Sequence, residues 1–206
     1  MKRGIDLSHY QRVTNWPGLA ASNDFAIFKA SEGRGQDPAF ATCAAAAREN
    51  AMTWGAYHFF RPDVLVVDQI NAYFAVLDAA LYGQANLYPA LDVESESGLP
   101  FTAASHAAPV TAFLRAIVAK YGKAIVYTSQ MGWHQIGNPA IMSDPDVLLW
   151  VAHYTSNPAP AVPMGKQYTL WQHGLGPVPG VVSSSGVDLD LCPGDLPIIR
   201  GADPSP

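Results

Sequence analysis

Five carboxylates, Asp6, Glu32, Asp92, Glu94 and Asp188, fall at or just past the C-terminal ends of short apolar runs that read as β-strands. The densest case is Tyr88-Pro-Ala-Leu-Asp-Val-Glu94. Residues two apart on a strand share a face, so Ala90, Asp92 and Glu94 point one way and Leu91 and Val93 the other. Two acids facing one space repel each other, which raises at least one pKa and keeps a proton on one of them near neutrality. Asp6 and Asp188 add to this where the fold brings them close. A carboxyl that keeps its proton beside ionised neighbours is what general acid catalysis needs. An isolated Asp-x-Glu more often caps a helix, pairs with a cation or binds calcium, and clustered carboxylates also suit magnesium or calcium. Several such acids in a chain with only 12 Lys+Arg favour catalysis or metal binding over plain ion pairing.

Other chemistries have less support. His9, His58 and His153 lie at or near strand ends, but there is no His-x-His pair and no His-Glu-x-x-His, so each reads as a hydrogen-bonding partner of an acid or as a core residue rather than a zinc ligand. Gly-x-Ser-x-Gly and a phosphate-binding loop are absent. No zinc site and no cofactor are expected, and a magnesium or calcium site among the acids stays open as a competitor. Tyr57, Tyr127, Trp150, Tyr154 and Trp171 sit on or beside strands. Core packing explains any one of them, whereas several at the acidic end would form flat apolar surfaces with polar tips on which sugar rings stack.

The elements that must hold these side chains follow from pattern. Strands are expected at 4–6, 25–30, 54–59, 88–93, 124–128, 148–152, 169–172 and 187–189, and helices at 38–50, 67–82 and 102–121, where apolar residues recur at spacings of three and four. Asp37-Pro38 supplies a helix start, and Gly83 and Gly122 supply stops. Alternation of strand and helix signals an α/β fold. After residue 128 the connections are rich in Pro and Gly, so an irregular TIM-like barrel with helices concentrated in its first two thirds fits better than a complete eightfold one. Active sites of such barrels lie at the C-terminal ends of the strands, where the acids are.

The 206 residues, 49% hydrophobic and 14% charged, suffice for one domain, read as 1–196 with a tail or linker stub at 197–206. A formal charge of -5 with no basic run argues against nucleic acid. No apolar run approaches the roughly 18 residues of a membrane span. Met1-Lys2-Arg3 is not followed by the apolar stretch of a secretory signal. Cys43 and Cys192 are too few and too far apart for a disulfide framework and read as two mostly buried thiols, with a single bridge as the alternative.

Seven segments, in order, resemble a known family: Gly4-Ile-Asp-Leu-Ser-His-Tyr-Gln11, Phe28-Lys-Ala-Ser-Glu-Gly33, Gly55-Ala-Tyr-His-Phe-Phe-Arg-Pro62, Pro89-Ala-Leu-Asp-Val-Glu94, Trp150-Val-Ala-His-Tyr154, Trp171-Gln172 and Val187-Asp-Leu-Asp190. The family is glycoside hydrolase family 25, the Chalaropsis-type lysozymes or N-acetylmuramidases of bacteria, fungi and phage lysins, and the similarity runs over about residues 3–192. The resemblance implies an irregular barrel of eight strands and about five helices that hydrolyses the β-1,4 bond between N-acetylmuramic acid and N-acetylglucosamine. It implies Glu94 as proton donor, Asp92 as its partner, and Asp6 and Asp188 as the acids of the first and last strands, with Glu32 supporting the site. Tyr57, His58, Tyr127, Trp150, Tyr154 and Trp171 are the expected substrate contacts, and the expected partner is the peptidoglycan glycan strand, met by a monomer. The segment 95–106 departs from the family in lacking a cluster of further acids or amides. Such an enzyme acts on the cell wall, either after holin-type release from the cytoplasm or by another export route. The competing functions are a wall-glycan-binding barrel without catalysis, which the retained acids argue against, and a metal-dependent hydrolase.

Overall fold

The computed structural model describes residues 1–200. In chain order its elements are β1 (Lys2–Leu7), β2 (Arg12–Val13), α1 (Trp16–Ser22), β3 (Phe25–Glu32), β4 (Gly35–Gln36), α2 (Phe40–Glu49), β5 (Trp54–Phe59), α3 (Val66–Ala79), β6 (Ala90–Asp92), α4 (Ala103–Tyr121), β7 (Ala124–Thr128), α5 (Gln130–Gln135), β8 (Val147–Ala152), β9 (Tyr168–Gly176), β10 (Val181–Val182) and β11 (Val187–Cys192). The main sheet runs β1-β11-β9-β8-β7-β6-β5-β3-β4, and a further β1–β3 pairing closes eight of these strands into a barrel, with β4 as an appendage. Neighbours from β1 through β3 and on to β9 are parallel, and β11 is antiparallel to both β9 and β1.

Strand direction explains where the helices are. Parallel neighbours need a crossover, usually a helix, whereas antiparallel ones can be joined directly. All five α-helices of the described residues lie in crossovers between parallel strands, the last, α5, between β7 and β8. The β7–β8 connection adds a short 3-10 turn at Ala140–Ser143, and the β8–β9 crossover, also parallel, holds only the one at Pro163–Gly165. Helices α1 and α5 are additional to the three expected from pattern, and each is started by a polar cap: Asn15 accepts from the Gly18 amide at 3.0 Å and Ser129 from the Gly132 amide at 2.9 Å. Thr102 and Ser105 form a capping box on α4, and Gly122, at φ +85°, ends it as expected. Helix α3 ends at Ala79, short of Gly83, because Leu81 takes the left-handed conformation instead.

Alternation on the strands divides the apolar residues into two cores. Outward positions such as Ile5, Phe28, Leu91 and Val126 pack under the helices, which contribute Tyr73, Leu77, Phe113 and Ile117. Inward positions, Phe25, Ile27, Ile125, Trp150 and Leu170 among them, fill the barrel. Gly4 is needed at the bottom: a Cβ there would lie 2.3 Å from the Phe25 ring, which crosses the interior in the space a side chain would take. Filling the lower barrel with aromatic and aliphatic groups leaves only the upper end open to ligand.

The expected boundary between domain and tail is moved. Pro197 accepts from the Tyr88 amide at 2.8 Å, Ile198 bridges Leu87, and Ile199 accepts from the Ala85 amide at 3.0 Å and donates to Asn86 at 2.8 Å, so the segment is docked as far as Ile199. The apolar Leu196 and Ile198 pack on the inner core at the bottom of the barrel. The remainder of the expected stub, 201–206, lies outside the described residues. Cys43, half-buried, and Cys192, buried, are both free thiols. Among the described residues no helix is long and apolar enough to cross a membrane.

Candidate active site

The upper end of the barrel opens into a cavity of about 250 Å³ lined by Asp6, Asp92, Glu94 and Asp188, by Tyr57, Tyr127, Trp150 and Tyr154, and by Gln172. The four acids come from β1, from β6 and the residues just past it, and from β11. Strand β6 is only three residues long, but the Val93 amide continues the ladder to Tyr127 O at 2.9 Å, which turns Val93 into the outer core and Glu94 to the cavity beside Asp92. Asp188 reaches this end by a route different from the one expected. It stands near the start of β11, not the end, and pairs with Asp6 because β11 runs against its neighbours.

Electrostatics follow from burial and crowding. Burial pushes the Asp92 carboxyl well above the usual carboxylate range, with Glu94 adding to the effect and Lys29 opposing it. Glu94, at the mouth and reachable by solvent, is also pushed up, by the protein packed around it and by Asp188, again against Lys29. Asp6 is raised well above its ordinary value by burial and then by Asp190 and Asp188. One oxygen of Asp92, Oδ1, is buried and has no hydrogen-bond partner among the described residues. A buried acceptor without a donor costs free energy, and in an open cavity it is a place for a ligand donor.

The walls are aromatic and hydrogen-bonded. Trp150 meets Tyr127 edge-on at 4.7 Å between ring centroids and Tyr57 at 6.3 Å. Tyr127 Oη donates to Gln172 Oε1 at 2.9 Å, Gln172 Nε2 donates to Asp6 Oδ2 at 2.8 Å, and Tyr154 Oη donates to Asp188 Oδ1 at 2.6 Å. Tyr154 is 53% exposed, so one face of its ring is open at the rim.

Two expected substrate contacts are not brought to the cavity. His58 is fully buried on the outer face of β5, hydrogen-bonded to Ser31 Oγ at 2.8 Å and Gln69 Oε1 at 3.0 Å and packed against Tyr73 and Phe113; burial pushes it down to about 4, a neutral core histidine. Trp171 belongs to the outer core and gives its indole N–H to His153 O at 2.8 Å. Both follow from alternation: Tyr57 and Gln172 take the inward positions, so His58 and Trp171 must face out. His9 pairs with buried Asp37 at 2.6 Å, the acid-partner role expected for it.

Glu32 lies in an adjoining cavity of about 310 Å³, beside His9, Arg34, Asp37 and Arg61. Burial pushes it up, but Lys29 Nζ at 2.6 Å and Arg61 at 3.0 Å outweigh that and hold it below its ordinary value. Lys29 is itself buried, with Nζ 4.6 Å from the centre of the Phe59 ring. Arg61 also binds Asp63 at 3.1 Å and Glu96 at 2.5 Å, so the segment 95–106 does supply an acid near the site. Lys29, Gln172 and Asp190 were not singled out from sequence, although each lies in one of the seven segments on an inward-facing position. Among the described residues no group of three His, Cys, Asp or Glu side chains is arranged to hold a metal ion.

The family described as Glycosyl hydrolases family 25 matches residues 5–181. Protein YegX of Escherichia coli K12 is 30% identical over 202 residues, covering 94% of this chain and 70% of its own. The bacterial lysozyme of Streptomyces coelicolor superimposes with a TM-score of 0.79 at 29% identity, covering 94% of this chain and 92% of the other. The muramidase of Acremonium alcalophilum gives 0.79 at 26% identity over 95% of each chain.

Proposed function

Because this chain belongs to the glycosyl hydrolases of family 25, we propose that it is a peptidoglycan hydrolase, a muramidase that cleaves the β-1,4 bond between N-acetylmuramic acid and N-acetylglucosamine in the cell wall. The observation that carries the reading is the cavity itself. Four acids and four aromatic rings converge on one opening at the end of a barrel whose fold is shared with a lysozyme and a muramidase. Aromatic faces suit the apolar sides of sugar rings, and carboxyls with raised proton affinity suit acid-assisted departure of a sugar alcohol.

Glu94 is the general acid in this reading. It reaches solvent at the mouth, where a glycosidic oxygen arrives, and its neighbours favour its protonated form. Its proton passes to the glycosidic oxygen as the bond from that oxygen to the anomeric carbon breaks. The substrate's 2-acetamido carbonyl oxygen closes on the anomeric carbon from the opposite face, and Asp92 orients that group. The free Asp92 Oδ1 supports this role, since an acetamido N–H is the donor it lacks. Glu94 then takes a proton from water as the water oxygen attacks the anomeric carbon and the acetamido group leaves. Two displacements give net retention. Asp188, held by Tyr154, and Asp6, held by Gln172, position the sugar and shape the field.

The test is incubation with purified peptidoglycan, then reduction and mass analysis of the fragments. Reduced muramic acid ends are expected. Reduced glucosamine ends, or free peptides with neither, would replace the reading by a glucosaminidase or an amidase.

A further inference from the structure

Glu94 begins a stretch that the barrel holds at a single point. The ladder from β6 ends at the Val93 amide, and α4 starts only after its cap at Thr102. Residues 94–99 belong to neither core. Among the described residues their one hydrogen bond to the rest of the barrel is Arg61 Nη1 to Glu96 Oε1 at 2.5 Å; the Leu99 amide to Glu96 O, at 3.2 Å, closes a turn within the stretch. Glu96 Oε2 is buried and has no partner among the described residues, so Arg61 is the donor on which this carboxylate depends.

Arg61 is itself fixed at both ends. The buried side chain of Gln69 grips its backbone: the Arg61 amide donates to Gln69 Oε1 at 2.9 Å, and Gln69 Nε2 donates to Arg61 O at 2.8 Å. At the guanidinium, Nε and Nη2 donate to the two oxygens of Asp63 at 3.1 and 3.3 Å, and Nη1 also reaches Glu32 Oε1 at 3.0 Å. Glu32 Oε2 takes the ammonium of buried Lys29 at 2.6 Å. Charges of opposite sign therefore alternate along one line, Lys29–Glu32–Arg61–Glu96, from β3 to the segment after β6. A guanidinium can serve several carboxylates at once because its donors are set in a planar fork, whereas an ammonium is a point charge.

We propose that Arg61 is a positioning residue of the hydrolase: its guanidinium, braced by Asp63 and Glu32, holds Glu96 and with it the segment that opens at Glu94, so that the proton donor keeps one place at the mouth of the cavity. Only Ser95 separates the tether from Glu94, at most about 7 Å of chain. A general acid must lie within hydrogen-bond reach of the oxygen it protonates, and a misplacement of about 1 Å costs on the order of 10²-fold in rate. The effect on rate rests on the muramidase reading with Glu94 as its acid; the tether rests on the contacts.

Glu96→Ala and Glu96→Gln separate the tether from the charge, because the amide keeps an oxygen for Arg61 and the methyl group does not. On soluble glycan strands from purified peptidoglycan, kcat of Glu96→Ala should fall by about 10–100-fold with KM moved by less than about threefold. Glu96→Gln should stay within about threefold of the wild type, and adding Glu96→Ala to Arg61→Gln should cost nothing further. An unchanged kcat in Glu96→Ala, or a raised KM alone, overturns the proposal. Equal losses in Glu96→Ala and Glu96→Gln with a pH profile moved downward would mean that Glu96 acts through its charge on Glu94, and overturn it as well. The tether has its own readout. A glutamyl endopeptidase should cut after residue 94 about tenfold faster in Arg61→Gln and Glu96→Ala than in the wild type and Glu96→Gln. Equal cutting in all four proteins refutes the tether whatever the rates. If the wild type cleaves no peptidoglycan while the cutting follows that order, the muramidase reading fails and the tether stands. Should Arg61→Gln fail to fold, the two Glu96 variants, altered in a segment outside both cores, decide alone.

Discussion

Glu94→Gln separates catalysis from folding at a position where the structure makes opposite predictions for the two. The Glu94 side chain accepts no hydrogen bond from the described residues, and it stands at the mouth of the cavity, so the isosteric amide removes a proton donor and no packing. Loss of a positioned general acid costs about 10²–10⁴ in rate, which corresponds to about 3–5 kcal/mol of transition-state stabilisation. The stability effect has the other sign. Because the folded protein raises the proton affinity of Glu94, the folded state loses stability relative to the unfolded one as pH rises from the ordinary glutamate value through the raised one. Above the ordinary glutamate value the folded state therefore bears a cost at 94 that the unfolded state does not, either a poorly solvated charge or the uptake of a proton, through burial and then Asp188, and Gln removes it. Thermal unfolding of Glu94→Gln at pH 7 should give a Tm equal to or above the wild type. Reducing ends released from purified cell walls measure the rate, and an aryl glycoside with a good leaving group, which needs little acid assistance, should show a much smaller deficit. A variant that retains half of the wild-type rate on walls, or one equally impaired on both substrates, would refute the assignment.

Gly4→Ala should destabilise by about 1–3 kcal/mol or more, read from denaturant unfolding, since its Cβ would sit 2.3 Å from the Phe25 ring; an unchanged midpoint would mean the ring is free to move aside. Proton NMR of the first product should show the retained anomer. An inverted product would make water the direct nucleophile and Asp6 or Asp188 its base. Activity should survive excess EDTA, because proton donation and charge stabilisation account for the acids; loss that one added divalent ion restores would revive the metal-dependent alternative.

Much of this site was legible in the sequence because strands repeat every two residues. That period put Asp92 and Glu94 on one face before any fold was known, and it also forbade pairs of adjacent residues from sharing a site. Tyr57 with His58 violated it, and the barrel keeps Tyr57 inside and His58 outside. Trp171 reads as a sugar contact because its ring is aromatic, yet only one of two neighbours can face inward, and it is the Gln172 amide that joins Asp6 to Tyr127. The helices at 38–50, 67–82 and 102–121 were legible from apolar spacing, whereas α1 and α5, of seven and six residues, are too short to show a period.

What no local pattern could supply is strand direction and closure. Asp188 was read as lying at the end of a strand; it lies near the start of one that runs backwards, and only the antiparallel pairing of β11 with β1 brings it to Asp6. Likewise, Asp190 looks like an ordinary strand acid until β8 closes over it and leaves it the Trp150 indole N–H as its donor. Periodicity determines which residues of a strand share a face. Which strands meet across the interior, and in which direction, is decided by the pairing of β1 with β3 on one side and with β11, more than 180 residues later, on the other, and that exists only once the barrel has closed.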